Sequence, residues 1–137
     1  MDVDITPAWQ GPTRLPEGVT VVGSAAAWER VRGTWTEPLR SRVSLQPSFD
    51  RDVVLVLAGA ETGDLGLVLR VSRAVRNGDG VALDVVAESK NVGMPAPSAM
   101  NHPTLIVTAP AAGFADDPRI ALTWNGKAWT APVRYER

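Results

Sequence analysis

The chain has no cysteine, a single histidine and only one tyrosine and two phenylalanines among its 137 residues. Without cysteine there can be no disulfide, no thiolate nucleophile and no Cys-based zinc site. With His102 as the lone histidine, a metal site built on it would need carboxylates for its other ligands. No apolar run approaches the roughly 20 residues that cross a bilayer as a helix, so no membrane span is expected. The opening Met1-Asp2-Val3-Asp4-Ile5-Thr6 has neither a basic start nor the apolar stretch of an export signal. As written, the chain is expected to be cytoplasmic, and extracytoplasmic only if such a signal was removed. An excess of one charge is also missing. The 14 Lys and Arg against 15 Asp and Glu leave a net charge of -1, so no whole-molecule field attracts phosphate backbones and nucleic acid is not an expected partner.

What remains is the composition of a soluble globular protein, 45% hydrophobic and 21% charged. A chain of this length buries roughly two thirds of its unfolded surface, enough for a core without staples. One domain over residues 1–137 is the natural reading, with a core over 19–110 and a C-terminal β-hairpin extension over 111–137.

The clearest organisation lies between Asp52 and Pro110. Asp52 to Ala60 is a continuous apolar run, broken at Glu61-Thr62-Gly63-Asp64 and resumed from Leu65 to Val71. There the period becomes two: Leu65, Leu67, Leu69 and Val71 share one face, and Val81, Leu83, Val85 and Ala87 repeat the pattern. Asn77-Gly78-Asp79-Gly80 between them predicts a hairpin, because Asn and Gly accept the positive φ that tight turns demand. Thr104 to Thr108 forms another strand. Ile120, Leu122 and Trp124 alternate up to Asn125-Gly126, a second hairpin turn leading to Lys127–Thr130 and on to Val133 and Tyr135. Near the start, Asp2 to Trp9 is compatible with a short strand, Gly11-Pro12 and Leu15-Pro16-Glu17-Gly18 with a turn, and Val19 to Val22 with a second strand. One helix is predicted. Ser24 stands at its N-cap, Trp28 and Val31 share a face, and Gly33 stops it. Thr34 to Ser48 is expected to be an ordered connection with at most another short helical turn. Short loops favour antiparallel pairing. The expected fold is α+β and mainly β: an antiparallel sheet or small barrel of five to seven strands, with one short helix packed on it.

Several of these residues together resemble a known family. Val21-Val22-Gly23-Ser24 before a helix with Trp28, Phe49-Asp50 before Val53 to Gly59, Thr62-Gly63, a long hairpin, a Pro-rich loop, and His102-Pro103-Thr104 leading into Leu105-Ile106-Val107 are similar to the C-terminal domain of PrcB-like protease-complex subunits. The resemblance covers about residues 19–110. It departs from the family at Asp64-Leu65, where Gly-Tyr commonly follows Thr-Gly, and after Pro103, where an aromatic is usual. It implies a non-catalytic accessory domain that stabilises or recruits a protease or cell-envelope partner.

Catalytic signals are sparse. Ser98 is flanked by Pro97 and Ala99 and lacks the glycines of a nucleophile elbow. Asp116-Asp117 before Pro118 reads as a turn, because Asp bonds nearby backbone there. Gly59 to Gly66 carries no Lys and leads into no helix, so it reads as a strand connection and not a phosphate loop. No cofactor is expected. Arg70, Arg73 and Arg76, with Arg40, Arg42 and Arg51, could meet an anionic partner but read better as solvated charges. Trp28, Trp35 and Trp124 fit core positions, while Trp9 and Trp129 lie beside turns. Asn91 to Pro103 is rich in proline and small residues, and long loops on rigid scaffolds disproportionately carry recognition. Contact with a protein partner of unknown identity is therefore expected at Met94, Pro95, Pro97, Met100 and His102, with Arg70 on the neighbouring strand. The alternative is a small hydrolase or ligand-binding enzyme in which His102 meets carboxylates assembled by the fold.

Overall fold

The computed structural model describes residues 1–90 and 100–137. Met94, Pro95 and Pro97 lie outside the described residues. The strands are β1 (Thr6–Thr13), β2 (Gly18–Val22), β3 (Asp52–Ala58), β4 (Leu67–Asn77), β5 (Gly80–Ser89), β6 (His102–Pro110), β7 (Arg119–Trp124), β8 (Lys127–Ala128) and β9 (Val133–Glu136), with helices α1 (Ala25–Gly33) and α2 (Leu39–Arg42). They form a five-stranded sheet in the order β1-β6-β3-β2-β9 and a four-stranded sheet in the order β4-β5-β7-β8.

Side-chain alternation explains the layers. The run in β3 is apolar on both faces because both are covered. Val53, Leu55 and Leu57 join Leu105 and Val107 of β6 in the core between the sheets, with Leu69, Leu83 and Val85 opposite. Val54, Val56 and Ile106 point the other way and meet Trp28, Trp35 and Val43 under the helical layer. The protein is thus α+β and mainly β, with helices on one face of the five-stranded sheet and the second sheet on the other.

Helix α1 begins as its sequence predicts. The Ala27 amide donates to Ser24 Oγ at 3.1 Å, satisfying one of the unpaired N–H groups of the first turn. Trp28 meets Trp35 edge-on at 5.6 Å, and Arg32 donates to the carbonyls of Arg40 and Val43, tying α1 to the segment around α2.

The strands differ from the expected five to seven in one sheet, since the described residues form nine strands divided between two sheets. Two pairings are parallel, β5 with β7 and β2 with β9. Short loops dictate antiparallel pairing only for strands adjacent in sequence, and these pairs join distant segments. The Asn125-Gly126 turn forms, with φ of 50° and 82°. Its hairpin ends at β8, and the chain then crosses to the five-stranded sheet as β9. Gly11-Pro12 lies inside β1 and not in a turn, because β1 is an edge strand, where a proline without an N–H is tolerated. Asp2 belongs to the other sheet, bridging Val75. His102 and Pro103, expected at the end of a loop, open β6, and Pro103 stands opposite Pro12. Leu65 precedes β4 and is 44% exposed. The Gly66 amide donates to Asp64 Oδ1 at 2.9 Å, a side-chain turn that delays the strand.

Tyr135 in β9 donates its hydroxyl to the Pro118 carbonyl. Burial, reinforced by the Asp117 charge, raises its pKa above the ordinary 10.0. The native state thus favours the neutral phenol, a contribution present below the ordinary tyrosine pKa and lost as pH climbs through the raised folded value. Melting temperatures of the wild type and Tyr135→Phe, followed upward from about pH 9, should show a steeper alkaline decline in the wild type. Parallel declines would contradict this assignment.

Candidate functional site

The outer face of the five-stranded sheet is only partly roofed. Five strands at about 4.8 Å spacing span roughly 19 Å between outer axes, whereas one helix with its side chains covers about 10 Å. Beside α1, the cover comes from the Thr34–Ser48 connection and the corner after β1. They leave a trough with two compartments. The larger, about 920 Å³, is lined by Trp9, Leu39, Leu65, Met100 and Asn101 among others. The smaller, about 250 Å³, has Thr20, Val31, Val56 and Ala58 in its walls. Leu15, Pro16, Thr34 and Trp35 line both and separate them.

Local chemistry builds each wall. Trp9 lies over Gly11, where an added Cβ would come within 3.0 Å of the indole. Thr13 and Thr104 share a hydroxyl hydrogen bond of 2.8 Å, and the Leu15 amide donates to Thr13 Oγ1 at 3.0 Å, fixing the corner that carries Leu15 into the partition. Trp35 is anchored by its amide on the Arg32 carbonyl at 3.0 Å and by its contact with Trp28. Among the described residues, the exposed large hydrophobic side chains are Met1, Leu65 and Met100, the last 53% exposed. Two of these three belong to the larger compartment.

The charges of the trough are unequal in their pairing. Glu37 accepts from the Ser41 hydroxyl and amide and from Arg40, and these bonds, Ser41 first, hold its carboxyl below the usual range. Glu136 pairs with Arg30 at 3.2 Å. Arg14 and Arg42 in the larger compartment and Arg134 in the smaller have no ion-pair partner among the described residues. In the wall of the larger compartment, Asn101 is 6% exposed and exchanges backbone hydrogen bonds of 2.8 Å with Thr62. Its Nδ2 donates to the Thr62 carbonyl at 3.0 Å, whereas its Oδ1 has no partner among the described residues.

Of the residues expected to contact a partner, Met100 lines the trough. His102, half-buried at the start of β6, donates from Nδ1 to the Gly59 carbonyl at 2.8 Å, an acceptor that fixes the proton on Nδ1. Among the described residues, no three His, Asp or Glu side chains gather as a metal site requires. Arg70 is remote from Met100 in layer, since it lies on β4 in the other sheet, 3.8 Å from Glu88. Alternation turns it away from the core beside Leu69. Arg76 is structural, donating to the carbonyls of Gly78, Gly113 and Ala115. Asp116 and Asp117 take φ of 63° and 47° in a turn, and Asp117 accepts from Arg137. Gly59 closes against Trp124, whose ring an added Cβ would meet at 2.5 Å.

Set against known proteins, the chain matches no family model, no curated protein and no solved structure. Among the described residues, no helix is long and apolar enough to cross a membrane. The trough residues that sequence reasoning did not single out, above all Leu15, Leu65 and Asn101, carry no motif. Trp9, set among Gly and Pro, was the one local signal of an aromatic on an incompletely covered face.

Proposed function

We propose that the domain is a non-catalytic protein-binding module, an accessory domain of the PrcB-like kind, that stabilises or recruits a partner such as a protease through the trough on its five-stranded sheet. The observation that carries this reading is the concentration of exposed apolar surface there: Leu65 and Met100 stand open on a groove that Trp9 and Trp35 also line. Exposed apolar groups gathered around buried aromatics are the usual anatomy of a binding hot spot. A hydrolase built on His102 is the weaker reading, because the Nδ1 that a catalytic carboxylate would orient is already bonded to Gly59.

The test is affinity purification from the native host with the wild type, Leu65→Glu/Met100→Glu and, as control, Arg73→Glu on the other sheet. All three changes are at exposed or partly exposed side chains, and circular dichroism checks that the fold survives. Hot-spot losses of about 2 kcal/mol or more correspond to about 30-fold or greater weakening. A partner held by the wild type and the control but lost by the double variant is the expected result. A partner lost with Arg73→Glu and retained by the double variant would place binding on the wrong sheet for this proposal.

A further inference from the structure

Both carboxylates that line the trough are already held, Glu37 by Arg40 and Ser41 and Glu136 by Arg30. Three of its arginines are not. Arg14 and Arg42 flank the apolar surface made by Trp9, Leu15, Leu39, Leu65 and Met100, and Arg134 lies across the partition. This local excess of unpaired positive charge stands in a chain whose net charge is -1.

We infer that the trough takes an acidic, apolar peptide segment of the partner, its apolar side chains on Trp9, Leu65 and Met100 and its carboxylates on Arg14 and Arg42. This deepens the protein-binding reading and rests on it. Arginine suits the role, since its planar guanidinium binds a carboxylate through two parallel hydrogen bonds. A peptide fits better than a small molecule on grounds of size. The larger compartment, about 920 Å³ and open to solvent, lies near the upper limit of drug-sized pockets. Edge pairing with β1 is disfavoured, because Pro7 and Pro12 remove two of its donors.

The test uses three synthetic peptides with identical apolar residues, bearing paired Asp, Asn or Lys. Binding to the full chain is read by tryptophan fluorescence and by amide shift mapping. The Asp peptide should bind at least tenfold more tightly than the Lys peptide. Its shifts should centre on β1, Trp35 and Asn101, and its affinity should fall as salt screens the pair. Arg14→Glu/Arg42→Glu should weaken the Asp peptide by at least tenfold and strengthen the Lys peptide. Equal binding of all three peptides at the trough would overturn the charge assignment and leave the protein-binding reading standing. Shifts centred on the outer face of the four-stranded sheet would overturn both. Failure of every peptide, while the Leu65→Glu/Met100→Glu variant still loses its partner, would overturn the peptide occupant alone. Simple carboxylic acids binding as tightly as the Asp peptide would assign the site to small anions and also overturn the inference.

Discussion

Replacing Trp35 with alanine is expected to lower unfolding free energy by about 3–5 kcal/mol, the range for emptying a core aromatic site. Trp35 is 5% exposed and packs edge-on against Trp28 at 5.6 Å. Such a pair contributes about 0.5–1.5 kcal/mol beyond the area it buries. Trp28 in turn lies under Arg32, so the substitution loosens the link between α1 and the α2 segment as well as the core above Val54, Val56 and Ile106. With total stability for a domain of about 5–15 kcal/mol, roughly a fifth or more of the margin is at stake. Trp35 also partitions the trough, so its removal should merge the two compartments and weaken any occupant. Urea unfolding of the two proteins measures the first effect. A loss within about 0.5 kcal/mol, the range of surface changes, would mean that Trp35 is not packed in the core.

Phe114→Ala should cost a similar amount, about 3–5 kcal/mol, from the other side of the five-stranded sheet. Phe114 is fully buried between the sheets and ends the 3-10 turn Ala111–Phe114. That turn is tied down by two arginines: Arg76 donates to the Gly113 carbonyl at 3.2 Å, and Arg137 to the Phe114 carbonyl at 3.0 Å. The turn lies in the connection that brings β7 back to its parallel pairing with β5, so emptying the site should also speed amide exchange along β7. Exchange in α1, on the far face of the sheet, should change less. Uniform acceleration across both sheets with no loss of global stability would contradict this placement.

Much of this architecture is legible in the sequence because local rules decide it. Ser24 caps α1, Asn125-Gly126 turns β7 into β8, and the alternation of Val81, Leu83 and Val85 faces the core. Pairing between distant segments is not decided locally. Nothing near Val133 says that β9 will lie parallel to β2, and nothing near Pro12 says that β1 is an edge where proline is allowed. The same limit applies to the trough. Met100 stood in a loop whose composition favours recognition, whereas Leu65 read as a core residue because its period matched Leu67 and Leu69. The Asp64 turn moved it out of the strand. Arg14 and Arg42 are separated by α1 in sequence and meet the same compartment only through the fold. Arg70, with the more conspicuous run of arginines, faces away on the other sheet.

The most direct test of the trough as the partner-binding surface is photocrosslinking in the native host, with a photoreactive amino acid placed at Leu65 or, separately, at Arg73. A discrete protein adduct is expected from position 65, lost when Arg14 and Arg42 are charge-reversed, and none from position 73. The same adduct from position 73, with none from position 65, would contradict it.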